Sequence, residues 1–193
     1  MTEAASSPHP TLIRLLGWTA VVSSVLYLVS DVIEVAQGGF SSGQLWLTLV
    51  AEAAVPVVVV GLAVVQWPPL GPLGLAGALV YAYAFAYFTG TVVYALVRDT
   101  ADFDQLGDAL GLWMTVHGAL MLLGGLAFGY RVARAGVLPP WTGWAFVLGV
   151  AAVTFGLPGW AGVVAAGVRD LALAGMGAAL LTGAARGQRV GSR

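Results

Sequence analysis

Leu45–Trp67 reads LWLTLVAEAAVPVVVVGLAVVQW, and Glu52 is the only charged side chain in it. A helix of about 20 apolar residues crosses the hydrocarbon core of a bilayer, so this stretch alone is long enough to span one. Five more stretches share its character. Together the six run approximately Leu12–Ile33, Leu45–Trp67, Leu70–Val97, Leu110–Val132, Trp141–Leu157 and Trp160–Ala184. None shows the polar alternation over about 10 residues that marks a membrane β-strand. Backbone groups in lipid must satisfy their own hydrogen bonds, which leaves helices. The predicted fold class is an all-α integral membrane six-helix bundle. Its divisions are a disordered N-terminal tail over 1–11, one transmembrane domain over 12–185 and a basic C-terminal tail over 186–193.

Composition agrees. Of 193 residues, 59% are hydrophobic and only 9% charged, against about a quarter charged in a soluble domain. So few charges cannot cover a water-facing surface. A net charge of −1 argues against a nucleic-acid partner, which needs a basic face. With no cysteine there is no disulfide framework, thiolate metal site or cysteine nucleophile. Two histidines, one of them in the N-terminal tail, make an all-protein zinc site improbable. The expectation is therefore no metal and no cofactor.

Orientation follows from arginine, because there is no lysine. Arg14, Arg131, Arg134, Arg186, Arg189 and Arg193 fall on one side of a six-span weave. Arg98 falls on the other, beside Asp99, Asp102, Asp104 and Asp108. The positive-inside rule puts the first group, and both termini, in the cytoplasm of a plasma-membrane protein. The acid row reads most simply as a solvated loop, with weak cation attraction as the alternative. Trp18, Trp67, Trp141 and Trp144 lie toward cytoplasmic span ends and Trp46, Trp113 and Trp160 toward the other face, as an aromatic belt requires. The first span reads as retained rather than as a signal peptide: its apolar run is too long and no small-residue cleavage site follows.

The turns Trp67–Pro72 and Leu157–Gly159 are short and rich in proline, which cannot continue a helix. They predict antiparallel neighbours. Small residues recur every four positions at Gly74, Ala78, Ala82, Ala86 and Gly90, at Gly125 and Gly129, and at Ala174 and Ala178. In lipid, close backbone approach must supply the contact between helices. These stripes read as packing within one bundle, with a homo-oligomer interface as the alternative.

Ionisable groups at membrane depth are costly and usually face protein or water. Asp31 and Glu34 end span one, Glu52 lies in span two, His117 in span four, and Arg169 with Asp170 in span six. All fall in the outer half of the predicted topology. Tyr27, Asp31 and Glu34 share a helical face, as do Tyr87, Thr91, Tyr94 and Arg98; Trp113 and His117 are an i, i+4 pair. If these faces meet, they make an outward-opening cavity with acids and hydroxyls on aromatic walls. Arg169 and Asp170 project about 100° apart on a helix, so each is expected to find its partner on another helix, Glu52 or Asp31 for Arg169. The structural alternative is that a buried Arg–carboxylate pair only fixes helix register.

Three classes of function fit. In the first, an intramembrane acid–base enzyme, a carboxylic acid held in an apolar site stays protonated near neutrality. Glu52 or Asp170 then donates a proton to a lipophilic substrate, a lipid or an isoprenoid. His117 or the partner acid takes a proton back, and Arg169 holds one carboxylate ionised. Tyr27, Asp31, Tyr87, Thr91, Tyr94 and Trp113 would line the substrate site, the aromatic faces steadying a cationic intermediate. This arrangement is similar in kind to membrane-bound terpenoid cyclases, which are all-helical and use a glutamate and an aspartate as proton donors. The likeness is architectural and chemical, and no catalytic residue is carried over from it. The second class is a proton-coupled small-solute carrier, and the third a non-catalytic accessory protein. Expected partners are membrane lipids and a lipophilic small molecule.

Residues 131–144, RVARAGVLPPWTGW, resemble a junction in small multi-pass membrane proteins of actinobacterial type. The resemblance covers a cytoplasmic turn. It implies the topology and carries no activity.

Overall fold

In the computed structural model, residues 10–191 are described, the last eight as backbone only. Residues 1–9 of the expected N-terminal tail and the side chains of Arg186, Arg189 and Arg193 lie outside the described residues. The chain is all helical, with no strand among the described residues. The helices are α1 (Pro10–Gln37), α2 (Ser42–Val65), α3 (Gly71–Arg98), α4 (Phe103–Leu110), α5 (Leu112–Ala135), α6 (Pro140–Thr154) and α7 (Gly159–Gly191).

Local chemistry sets the ends. The Ser41 hydroxyl accepts from Gln44 N at the start of α2, and Pro72 opens α3. Gly136, at φ 72°, closes α5 in the left-handed conformation that glycine adopts without penalty. Two expectations need correcting here. Five helices, not six, are long and apolar enough to cross a membrane, and α6 is a shorter apolar helix of 15 residues, about 22 Å long. Thr154 ends it because Pro158 and the positive-φ glycines Gly156 and Gly159 follow. The acid row is not simply a loop. Asp102 Oδ1 accepts from Gln105 N at 2.8 Å and caps α4. Leu106 of α4 is buried against Leu45, Val92 and Ala95.

Each of the other six helices packs mainly on two neighbours, in the cyclic order α1, α2, α3, α5, α6, α7 and back to α1. Neighbours run antiparallel. Leu16 lies against Gly61 while Tyr27 meets Glu52; Gly77 lies against Gly124 while Gly74 meets Arg131; Gly17 lies against Gly177 while Leu28 meets Gly167. The first and last helices therefore close the ring, and the start of α1 shares an end of the bundle with the C-terminal part of α7. The interior is filled by Tyr81, Phe85, Phe128, Phe146, Leu62 and Met176.

Backbone-to-backbone glycine contacts hold this ring, as expected where lipid gives helices no hydrophobic reason to associate. A Cβ added to Gly77 would come within 2.7 Å of Phe128 N. One added to Gly177 would come within 2.6 Å of Gly17 O. Gly143 presses on Ala133, and Gly149 on Arg169. The predicted stripes are only partly used: Gly74, Ala78 and Ala82 are buried, whereas Ala86, Gly90 and Ala178 are exposed. The working contacts on α3 and α7 sit at Gly77 and Gly177.

The outside is apolar. Leu12, Val57, Leu79, Leu123, Leu148, Val164 and Leu171 are all more than half exposed, and all seven tryptophans are exposed as well. An apolar exterior on this scale far exceeds the patches tolerated on a soluble monomer. The chain is a multi-pass membrane protein.

Candidate buried charge site

The site is built where α1 and α2 face each other. On α2, Gln44, Thr48 and Glu52 recur every four residues and share one face; on α1, Tyr27, Ser30 and Glu34 do the same at spacings of three and four. Because the helices are antiparallel, the two rows zip together. Gln44 Nε2 lies 3.3 Å from Glu34 Oε2, 3.0 Å from Ser30 Oγ and 2.9 Å from Thr48 Oγ1. The Ser30 and Thr48 hydroxyls are hydrogen-bonded to each other. Deeper in, the Tyr27 hydroxyl donates to Glu52 Oε1 at 2.5 Å. Ser30, Gln44, Thr48 and Glu52 are all buried. A polar seam thus descends from the α1–α2 loop to Glu52, which is ten residues on from Ser42, or about 15 Å along the helix.

At the foot of the seam stands Arg169, the same number of residues into α7 from Gly159. Its Nε donates to Asp170 Oδ1 at 2.8 Å. This corrects the expectation that the two neighbours must look to other helices. Although their Cα–Cβ bonds diverge, the arginine stem is long enough to curl back to the next carboxylate. The guanidinium carbon lies 4.6 Å from the centre of the Tyr27 ring and 5.6 Å from that of Phe85, so the cation is held against two aromatic rings. Tyr81 packs tilted against Phe85 and edge-to-face against Phe146, with ring centres 4.9 and 5.2 Å apart. Arg169 and Asp170 are 4% and 2% exposed, a depth at which an unpaired charge is very costly.

Three buried oxygens in this neighbourhood have no hydrogen-bond partner: Glu52 Oε2, Asp170 Oδ2 and the Tyr81 hydroxyl. Glu52, Asp170 and Tyr81 are close enough to one another and to Arg169 for their charges to interact. Half-buried Asp31 interacts in the same way with Arg169, Asp170, Glu34 and Glu52. The backbone adds an acceptor. Pro56 has no N–H to give to the carbonyl of Glu52, four residues earlier, so the helix ladder is open at that residue.

The remaining predicted residues lie elsewhere. His117 stacks on Tyr87 at 3.6 Å, its Nδ1 2.8 Å from the Trp113 carbonyl and its Nε2 3.3 Å from the Tyr83 hydroxyl. A carbonyl only accepts, so Nδ1 carries a proton. Thr91 donates to the Phe88 carbonyl of its own helix. Tyr94 faces Arg98, and Trp113 is 64% exposed. The structure therefore brings together Tyr27, Asp31, Glu52, Arg169 and Asp170, and holds His117, Tyr87 and Trp113 in a second cluster between α3 and α5. The rings of Phe88 and Phe85 lie between the two. Sequence reading missed Ser30, Gln44, Thr48 and Tyr81. The four-residue recurrence of polar side chains leading to Glu52 was the signal for Gln44 and Thr48.

Among the described residues, hollows at the protein surface lie away from the charge site. One of about 580 Å³ lies between Gly136–Pro139 and α7, lined by Gly175, Ala178 and Thr182 among others. A smaller one of about 160 Å³ lies between Phe40–Ser42 and Asp99–Ala101. No known protein family, curated protein or solved structure matches this chain.

Proposed function

We propose that this membrane protein is an intramembrane acid–base catalyst acting on a lipophilic small molecule, an isoprenoid, terpenoid or lipid, with Glu52 as proton donor. The observation that carries the reading is the inequality of two buried carboxyl groups beside one guanidinium. Asp170 takes the Arg169 Nε–H and is the ionised partner. Glu52 has only the Tyr27 hydroxyl on one oxygen and nothing on the other. Carboxyl groups with such different partners suit different roles, one holding a proton and the other staying charged. Glu52 gives its proton to an alkene or epoxide, and Asp170 accepts the proton lost on collapse. The terpenoid cyclases offer a chemical analogy for this sequence of steps.

The setting is a plasma membrane with both termini in the cytoplasm. Arg14, Arg131 and Arg134 all belong to the bundle end where the chain enters α1, in keeping with the positive-inside rule.

The test is isomerisation. Purified protein in nanodiscs is incubated with linear polyprenyl alkenes and epoxides in D2O. A proton-initiated isomerisation yields a product of altered retention carrying one solvent deuterium. Glu52→Gln and Asp170→Asn should abolish it while the helical content is kept. Absence of any such product across the panel overturns the reading.

A second reading, a proton-coupled carrier, is favoured by the polar seam, which leads from one end of the bundle to mid-helix. It requires that the protein acidify or alkalinise liposomes when a solute gradient is imposed. A flat pH trace rejects it.

A further inference from the structure

We propose that the hydrocarbon chain of the substrate enters the bundle from the lipid through a gap between α5 and α7, above the end of α6 that is remote from the termini. The inference rests on the acid–base reading and adds to it a way in and the residues that line it. α6 has 15 residues, about 22 Å, whereas the hydrocarbon core is about 30 Å thick. It cannot wall the ring over that whole depth. Its register fixes which part is left open. A Cβ at Gly125 would stand 2.8 Å from Val150 Cγ1, and one at Gly149 would press on the Arg169 backbone. Val150 is four residues from the end of α6, and Gly125 is thirteen from the start of α5. α5 therefore runs on past the end of α6 by about nine residues, about 13 Å. The Gly149–Arg169 contact likewise sets the start of α7 about five residues, about 7 Å, past that end.

Exposure follows that geometry. The row of α5 that packs on α6 at Gly129 and Gly125 continues through Leu122, Gly118 and Thr115. Leu122 and Gly118 are half-buried, Thr115 is exposed, and nothing lies within 4 Å of a Cβ built on Gly118. The connection from α6 to α7 does not fill the space: every residue from Thr154 to Ala161 is exposed, Phe155 at 79%. Phe155, Leu157 and Trp160 make that connection apolar. The medium at the gap is therefore lipid, and the occupant that suits it is a hydrocarbon chain rather than a charged solute. Val153, the last inward residue of α6, is half-buried against the core. Behind the gap runs the inward row of α3, Tyr81, Phe85 and Phe88. The first two are buried, whereas Phe88 is only half-buried. Its ring centre is 6.4 Å from that of Phe85, which in turn lies 5.6 Å from the Arg169 guanidinium. Phe88 and Phe85 thus stand between the gap and the charge site, and Phe88 is the ring that an entering chain displaces first.

Contact with lipid does not by itself mark an entry, so the test asks for a saturable one. The full chain in nanodiscs is irradiated with a diazirine-bearing farnesol, and the adducts are mapped by mass spectrometry. A large excess of plain farnesol should cut the adducts at Phe88, Gly118 and Val153 at least about tenfold, as mass action requires of a single site. Adducts at outward-facing Leu79 and Leu148 should not change. Gly118→Phe, which plugs the gap, should reduce the first set as strongly, while Gly118→Ala should keep it. Glu52→Gln stops the chemistry without touching the gap and should also keep it. Equal competition at both sets, or full labelling in Gly118→Phe, overturns the entry whether or not the unmodified protein isomerises polyprenyl alkenes. Saturable labelling without any isomerised product upholds the entry and removes the acid–base reading alone. Should Gly118→Phe lose its helical signal, Thr115→Phe supplies the same plug from one turn away.

Discussion

The backbone of Gly149 on α6 lies directly on the backbone of Arg169 on α7; a Cβ at Gly149 would stand 2.6 Å from Arg169 Cα. The residue that fixes the only buried cation among the described residues is thus a glycine on the shortest apolar helix. Gly149→Ala should push α6 off α7 and cost about 1–3 kcal/mol, the usual penalty for overpacking. Gly90→Ala is the control, since nothing lies within 4 Å of that position; it should match or slightly exceed the wild-type stability. Thermal unfolding in detergent, followed by circular dichroism, measures both.

Arg169 and Asp170 should be strongly coupled. Arg169→Met alone strands a buried carboxylate, and Asp170→Asn alone strands a buried guanidinium, each costing about 3–5 kcal/mol. The double variant should cost clearly less than the sum. Strict additivity in the unfolding cycle would show that the pair does not act as a unit.

Tyr27 serves two partners at once, through its hydroxyl and through its ring. Tyr27→Phe removes the donor to Glu52 and keeps the contact with Arg169 and Phe85, so it should cost about 1–3 kcal/mol. Tyr27→Leu removes both and should cost more. Equal losses, read by the same unfolding measurement, would mean the ring contributes nothing.

Arg131 reaches from α5 to the α2–α3 turn, donating from Nε to the Leu70 carbonyl at 2.8 Å and from Nη2 to that of Pro69 at 3.0 Å. Lysine cannot reproduce that fork. Arg131→Lys should raise amide hydrogen exchange at Leu70 and Gly71 several-fold, seen by mass spectrometry, without altering exchange in α4.

Because the chain contains no cysteine, single cysteines report sidedness cleanly. A membrane-impermeant maleimide applied to intact cells should label Asp104→Cys and spare Val137→Cys. The reverse result would invert the orientation.

The long helices were legible because lipid demands unbroken apolar length, and Leu45–Trp67 shows it without help from its neighbours. Which face of each helix turns inward was not legible. In lipid the core and the exterior are equally apolar, so Tyr83 and Leu79, exposed on α3, look no different in sequence from buried Tyr81 and Phe85. The site was half readable for the same reason. Charged Glu52, Arg169 and Asp170 announce themselves, and the structure does assemble them with Tyr27. Uncharged Ser30, Gln44 and Thr48 blend into a helix end until their shared period is noticed. His117 was misgrouped because one-helix geometry gives the spacing of residues and says nothing of which neighbouring helix they meet.

A ring sealed by α1 against α7 stays open until α7 has been made. Glu52, on α2, is made well before Arg169, on α7. Nascent chains must therefore wait with an acid-rich, unzipped edge, and any product stalled before α7 offers the cell's quality-control proteases an exposed groove that the mature molecule hides.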